Sequence, residues 1–176
     1  SLAKAVRYGL IIFNPTQGAS LPRYSHDEMN VFDTNQVATF LVAAQDSTYY
    51  ALFHLAITTG MRIGELLGLK WVDVQWNAGV IHVQRQMQDV PGEGCVFIEP
   101  KTNAGRRTIK LGEGSLDVLR RHKKDQDFRK MVVGSRWRDM NLVFANSRGG
   151  PGVTSNIRRE YKRVLDLAGL PRIRFH

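Results

Sequence analysis

The sequence predicts a mainly α-helical fold carrying a small three-stranded antiparallel β-sheet, an α+β domain. Three observations lead there: helical spacing of apolar residues between residues 34 and 69, a change to twofold alternation after Trp71, and a return to helical spacing over residues 115–127 and again from about Thr154 to Ala168.

Taken in order, residues 3–13 put Ala3, Val6, Leu10 and Phe13 on one helical face, weakened by Gly9 and ended by Asn14-Pro15. Residues 15–32 are rich in Pro, Gly, Ser and polar side chains without a period, and read as a linker. Asp33 or Thr34 can cap an amphipathic helix to about Ala44, with Val37, Phe40, Leu41 and Ala44 facing inward. A second helix begins near Ser47 and stays apolar through Ile57; Thr58-Thr59-Gly60 interrupts it, and Ile63 to Leu69 resumes with Leu66, Leu67 and Leu69. Val80 to Met87 then alternates, with Ile81, Val83 and Arg85 on one side. Val96 to Glu99 follows the Pro91-Gly92-Glu93-Gly94 turn, and Arg107 to Leu111 alternates with Ile109 and Leu111 inward. These three segments are expected to form one meander, in which Cys95 would be a buried small residue. Residues 115–127 return to helix with Leu116 and Leu119 buried, and residues 128–141 read as a basic loop or short helix. Leu142 to Ala145 is a short extended stretch, and Gly149-Gly150-Pro151-Gly152 is a turn. Thr154 or Ser155 can cap the last helix, whose apolar face is Ile157, Tyr161, Val164, Leu165 and Ala168, with Gly169 and Pro171 ending it.

With 176 residues, 43% of them hydrophobic and 23% charged, the chain has the composition of one globular domain with a small appendage. No apolar run approaches the roughly 18 residues of a membrane span, and the first residues lack a secretory cleavage pattern, so a soluble, cytoplasmic protein is expected. A single cysteine excludes an internal disulfide and a multi-cysteine zinc site; His54 lies within the apolar run of a helix, and His82 and His122 lack partners at metal-ligand spacing, so none is assigned a metal. Charge is divided unevenly. Residues 1–100 carry 6 Lys+Arg against 9 Asp+Glu, whereas residues 101–176 carry 19 against 7. A surface of that sign fits a polyanion, since each Lys or Arg laid on a phosphate releases condensed counterions.

The order of motifs narrows the function. Thr59-Gly60-Met61-Arg62-Ile63-Gly64-Glu65-Leu66-Leu67-Gly68-Leu69, followed by Trp71 and Asp73, resembles the first arginine box of the tyrosine recombinases, the phage-integrase family. Pro100-Lys101-Thr102 with Arg107-Thr108-Ile109-Lys110-Leu111 resembles that family's lysine-bearing β-hairpin, and Arg174-Phe175-His176 the opening of its His-x-x-Arg box. Gly9-Leu10-Ile11-Ile12-Phe13-Asn14-Pro15 is similar to the last helix of the family's core-binding domain. The resemblance therefore implies a tyrosine-recombinase catalytic-domain fold. Residues 1–14 would end an upstream helical domain, 15–32 would be the linker, and 33–176 a C-terminally incomplete catalytic domain.

The resemblance also implies a chemistry and assigns its parts. A tyrosine attacks the scissile phosphodiester, leaves a 3′-phosphotyrosine and frees a 5′-hydroxyl, without metal or other cofactor. Arg62 would clamp a non-bridging oxygen, Lys101 would act as general acid on the 5′ oxygen, and His176 would assist proton transfer. Glu65, one helical turn from Arg62, would hold that arginine. Thr102, Arg106 and Arg107, with Arg158, Arg159, Lys162 and Arg163 on the polar face of the last helix, are candidate contacts to double-stranded DNA. The family implies a homo-tetramer on paired DNA sites. The second arginine and the nucleophilic tyrosine of the family lie beyond the His-x-x-Arg box, and Tyr161 precedes it on a core face. This polypeptide alone is therefore expected not to cleave DNA. A type IB topoisomerase, a non-catalytic DNA-binding relative and an RNA-binding basic protein are the alternatives.

Overall fold

The computed structural model describes residues 1–19, 31–90, 92–99 and 106–175. The chain divides into two compact units, Ser1–Asn30 and Val31–His176. In the first, α1 spans Leu2–Arg7 and stops sooner than its apolar spacing suggests, because the chain turns at Tyr8 and Gly9.

The second unit is built from α2 (Thr34–Ala43), α3 (Tyr50–Thr59), α4 (Ile63–Gly68), α5 (Glu113–Val133) and α6 (Thr154–Ala168), with five short strands between α4 and α5. Asp33 starts α2 with a reciprocal capping box: its carboxylate accepts from the Gln36 amide, and the Gln36 side chain accepts from the Asp33 amide. Within this unit α2 packs on α6, α3 on α5, and α4 on the strands. Their shared core holds Phe40, Leu52, Phe53, Leu66, Leu119 and Leu165, all essentially without solvent exposure. Thr58 and Thr59 remain helical, and α3 breaks one residue later, at Gly60, in a left-handed conformation (φ 64°) that glycine adopts without steric cost.

The strands divide differently from a single meander. A three-stranded antiparallel sheet has the order β1 (Val74–Gln75), β2 (Val80–Val83), β5 (Arg107–Lys110), with Ile81 opposite Ile109. A separate two-stranded hairpin pairs β3 (Gln86–Val90) with β4 (Gly94–Ile98). Val80 to Met87 is thus two strands of two sheets, parted at Gln84 and Arg85. The Arg85 guanidinium donates to the buried Asp73 carboxylate and bends the chain there. Cys95 is exposed rather than buried, because β4 belongs to the outlying hairpin and not to the central sheet.

Two further segments depart from expectation. α5 runs through residues 128–133, past its periodic part, and leaves Phe128, Met131 and Val132 exposed. Good helix formers and the Lys123–Asp127 ion pair at 3.1 Å extend it beyond its apolar face. The extended stretch at Leu142 bridges to Lys70, and Gln126 ties it down by donating to the carbonyls of Leu142 (3.2 Å) and Val143 (2.9 Å). Gln126 also accepts from the Trp71 indole at 2.6 Å, so the segment after α4 is fastened to α5. Val153 occupies the cap position of α6, one residue before Thr154.

α4 approaches the backbone of residues 85–87 closely at two glycines. A Cβ on Gly64 would lie 2.9 Å from the Met87 carbonyl oxygen, and one on Gly68 would lie 3.1 Å from the Arg85 carbonyl oxygen and the Gln86 Cα. Gly64→Val is therefore expected to lower stability by about 1–3 kcal/mol, the cost of overpacking. Gly114→Ala, where an added Cβ meets nothing within 4 Å, is expected to raise it by about 0.5–1 kcal/mol. Equilibrium urea unfolding of both variants reads the contrast, and equal effects would dismiss the backbone seat.

Candidate active site

Arg62 occupies the cap position immediately before α4, in extended backbone (φ −69°, ψ 152°). The left-handed Gly60 ends α3 two residues earlier, so a tight turn delivers Arg62 to the end of a new helix. Its side chain is 74% exposed. Glu65, in contrast, is 7% exposed and turns back beneath the helix end, where its Oε2 accepts the Arg62 amide at 2.8 Å. The Arg62 guanidinium approaches the other carboxylate oxygen only loosely, at 3.4 Å.

The principal partner of Glu65 comes from β5. Both terminal nitrogens of Arg107 donate to the two Glu65 oxygens, each at 2.8 Å, across 42 residues of sequence. Burial by itself would raise the Glu65 carboxyl. The Arg107 fork, the Arg62 amide and the two guanidinium charges outweigh it and hold the group below its ordinary value. A carboxyl depressed in the folded state contributes stability that is complete above its unfolded value and is lost as pH falls through the folded one. The stability gap between wild type and Glu65→Gln is thus expected to be full at pH 7 and to shrink on acidification below about pH 4.5. Thermal melts from pH 7 to pH 3 would measure it, and a gap independent of pH would contradict the arrangement.

The strand period contained a signal for this pairing. Arg107 shares the inward side of β5 with Ile109, and a charge on that side needs a partner when desolvated. Arg107, a candidate phosphate contact by its charge and position, has both terminal nitrogens on Glu65 in the structure. Arg106 pairs with Glu99 at 2.7 Å, both exposed. Lys101, Thr102 and His176 lie outside the described residues.

The basic face of α6 is a second cluster. Arg158, Arg159 and Lys162 line a recess of about 550 Å³ together with Asp89, Thr154 and Ser155, which brings the start of α6 to the end of β3. Arg163 instead forks onto Glu160 at 2.9 and 2.8 Å, and Glu160 also accepts from Ser47 at 2.8 Å. Tyr161 faces the core, its ring 5.4 Å from Phe40 and 4.9 Å from Phe175. Burial pushes its phenol up to about 12. Among the described residues, no group of three or more His, Cys, Asp or Glu side chains is arranged to hold a metal ion.

The site is thus an exposed guanidinium at a helix start, braced by a buried carboxylate within a mainly helical domain. The sequence profile described as Phage integrase family matches residues 30–176. The chain belongs to this family. A tyrosine recombinase XerC-like protein of Caldanaerobacter subterraneus subsp. tengcongensis is 30% identical over 98% of this chain and 48% of its own length. This phage-integrase chain spans about half the length of the curated relatives it matches. Among solved structures, the Tn1549 transposon integrase in complex with transposon right end DNA superposes with a TM-score of 0.79 at 24% identity, covering 93% of this chain and 53% of that one. The lambda integrase tetramer bound to a Holliday junction gives a TM-score of 0.56 at 20% identity over 97% of this chain and 43% of that one. These likenesses establish the fold: a mostly helical domain with small antiparallel sheets. Among the described residues no helix is long and apolar enough to cross a membrane.

Proposed function

We propose that the protein containing this chain is a site-specific recombinase that cuts and rejoins double-stranded DNA through a 3′-phosphotyrosine, and that residues 33–176 supply part of its catalytic domain. Residues 1–14 are then the end of a core-binding domain and 15–32 the linker. The observation that carries the reading is Arg62, a solvent-facing guanidinium whose backbone is fixed by a buried carboxylate. A guanidinium offers two parallel donors to a phosphate and stays charged at every relevant pH.

In the proposed step a tyrosine oxygen attacks phosphorus while the bond from phosphorus to the 5′ oxygen breaks. Arg62 takes up the charge that grows on the non-bridging oxygens. Lys101 gives its proton to the departing 5′ oxygen, and His176 assists the proton transfer. The phosphodiester's energy is kept in the phosphotyrosine, so rejoining is the same step reversed on a new 5′-hydroxyl. Tyr161, enclosed by Phe40, Phe53 and Phe175, is not the nucleophile, and residues 1–176 alone are proposed to bind duplex DNA without cleaving it. Arg158, Arg159 and Lys162 line the basic recess as phosphate contacts, with Thr102 and Arg106 as further candidates. The Tn1549 integrase bound to transposon right end DNA and the lambda integrase tetramer bound to a Holliday junction support DNA as partner and a homo-tetramer as the working assembly inside the cell.

The test uses the full-length protein and a duplex nicked just beyond the scissile phosphate, so that the freed fragment diffuses away. A denaturant-resistant protein–DNA adduct that leaves phosphotyrosine after nuclease digestion is the expected result. Sequence-specific binding with no adduct would instead favour a non-catalytic relative.

A further inference from the structure

We propose that Arg107 is a positioning residue for strand cleavage, which keeps Arg62 free for the phosphate by occupying the carboxylate that would otherwise capture it. The inference rests on Arg62 acting as the phosphate clamp, and it concerns a residue whose charge and position otherwise suggest a DNA contact.

The geometry of Glu65 carries the argument. Its carboxylate is buried, and such a group must be neutralised by a cation in hydrogen-bonding reach. Two guanidiniums approach it. Arg107 meets it as a planar fork, with both bonds at 2.8 Å, whereas Arg62 reaches one oxygen at 3.4 Å. The pairing with Arg107 satisfies the charge, so the Arg62 side chain remains 74% exposed, its amide held at 2.8 Å and its guanidinium touching the carboxylate only at 3.4 Å. Were Arg107 neutral, Arg62 would be the remaining cation beside a buried, charged carboxylate. It would fold onto Glu65 and leave the phosphate position. Arg107, with its side chain 35% exposed, has both terminal nitrogens committed to this task.

The distinguishing feature is rescue by a second substitution. In single-turnover cleavage of the nicked duplex by the full-length protein, Arg107→Gln is expected to slow the step by about 10- to 100-fold at saturating DNA, the usual cost of losing a group that orients a functional ligand. Affinity should change less than about threefold. Adding Glu65→Gln removes the charge that captures Arg62 yet leaves a side-chain carbonyl for its amide, and the double variant is expected to recover about tenfold of the loss, a coupling between neighbouring sites. Arg107→Lys, which keeps a point charge without the fork, should fall between wild type and Arg107→Gln. If Arg107 were a phosphate contact, Arg107→Gln would weaken binding and lower the salt slope by about one, and Glu65→Gln would restore nothing. That outcome overturns the proposal.

A readout independent of catalysis separates this inference from the strand-transfer reading. In residues 1–176, water exchange at the Arg62 guanidinium protons, followed by NMR, should slow in Arg107→Gln and return to the wild-type rate in the double variant. Unchanged exchange would refute the capture of Arg62. A full-length protein that forms no adduct, with exchange behaving as stated, would refute only the recombinase reading. Should Arg107→Gln fail to fold, Arg107→Lys in the same two measurements decides, since it retains neutralisation while loosening the fork.

Discussion

Arg62→Gln in the full-length protein is expected to lower the rate of strand cleavage by about 10³-fold or more, the scale on which an arginine that stabilises a phosphoryl transition state acts. Duplex affinity should fall less than about threefold. The asymmetry follows from geometry. In the proposed step Arg62 would be one guanidinium among several cations meeting the backbone, with a small share of ground-state binding, but it would face the oxygens on which charge grows during attack. Glutamine keeps the backbone amide that Glu65 accepts and removes only the fork, so the start of α4 stays in place. Single-turnover cleavage and a binding titration at fixed salt read the two quantities separately. Equal loss in both would demote Arg62 to an ordinary phosphate contact.

Phe53→Ala carries the largest expected cost in stability, about 3–5 kcal/mol, as for other aromatic side chains truncated in a packed core. Phe53 has no exposed surface, and its ring lies 5.6 Å from Phe40, 6.0 Å from Tyr161 and 5.8 Å from Phe175. These neighbours come from α2, α6 and the segment after α6, so one truncation loosens three attachments of α3. Urea unfolding gives the stability, and a loss under about 1 kcal/mol would mean that the surrounding rings close over the gap.

Much of this architecture is written in local spacing, and what is not written there depends on contacts between distant residues. The faces of α2 and α6 follow from spacing alone: Phe40 and Ala44 in one, Ile157, Tyr161, Val164 and Leu165 in the other, are buried as their period requires. The division of Val80 to Met87 into two sheets is invisible to the same reasoning, because alternation continues unbroken through Arg85. What parts the strands is Asp73, which pulls Arg85 aside, and α4, against which residues 85–87 lie. α5 outlasts its apolar stripe for the converse reason: helix propensity and ion pairs carry it where no core awaits. At the site, Arg62 and Glu65 are legible as a pair three residues apart on a helix. The fork of Arg107 is not, since its partner lies 42 residues away and only the inward phase of a four-residue strand hints at it.

The glycines of α4 have a consequence for how such a chain can diverge. Two of the helix's six residues offer no side chain, and at both the distance to β3 is a distance between backbones. Substitutions that enlarge or shrink the core act through side-chain volume, to which this contact is indifferent. Drift at core positions remote from α3 and α4, such as Leu165, leaves these two backbone contacts directly untouched. Positions 64 and 68 carry a separate restriction: an added Cβ at 64 would force the hairpin backbone to shift, and one at 68 would require it to give by a few tenths of an ångström.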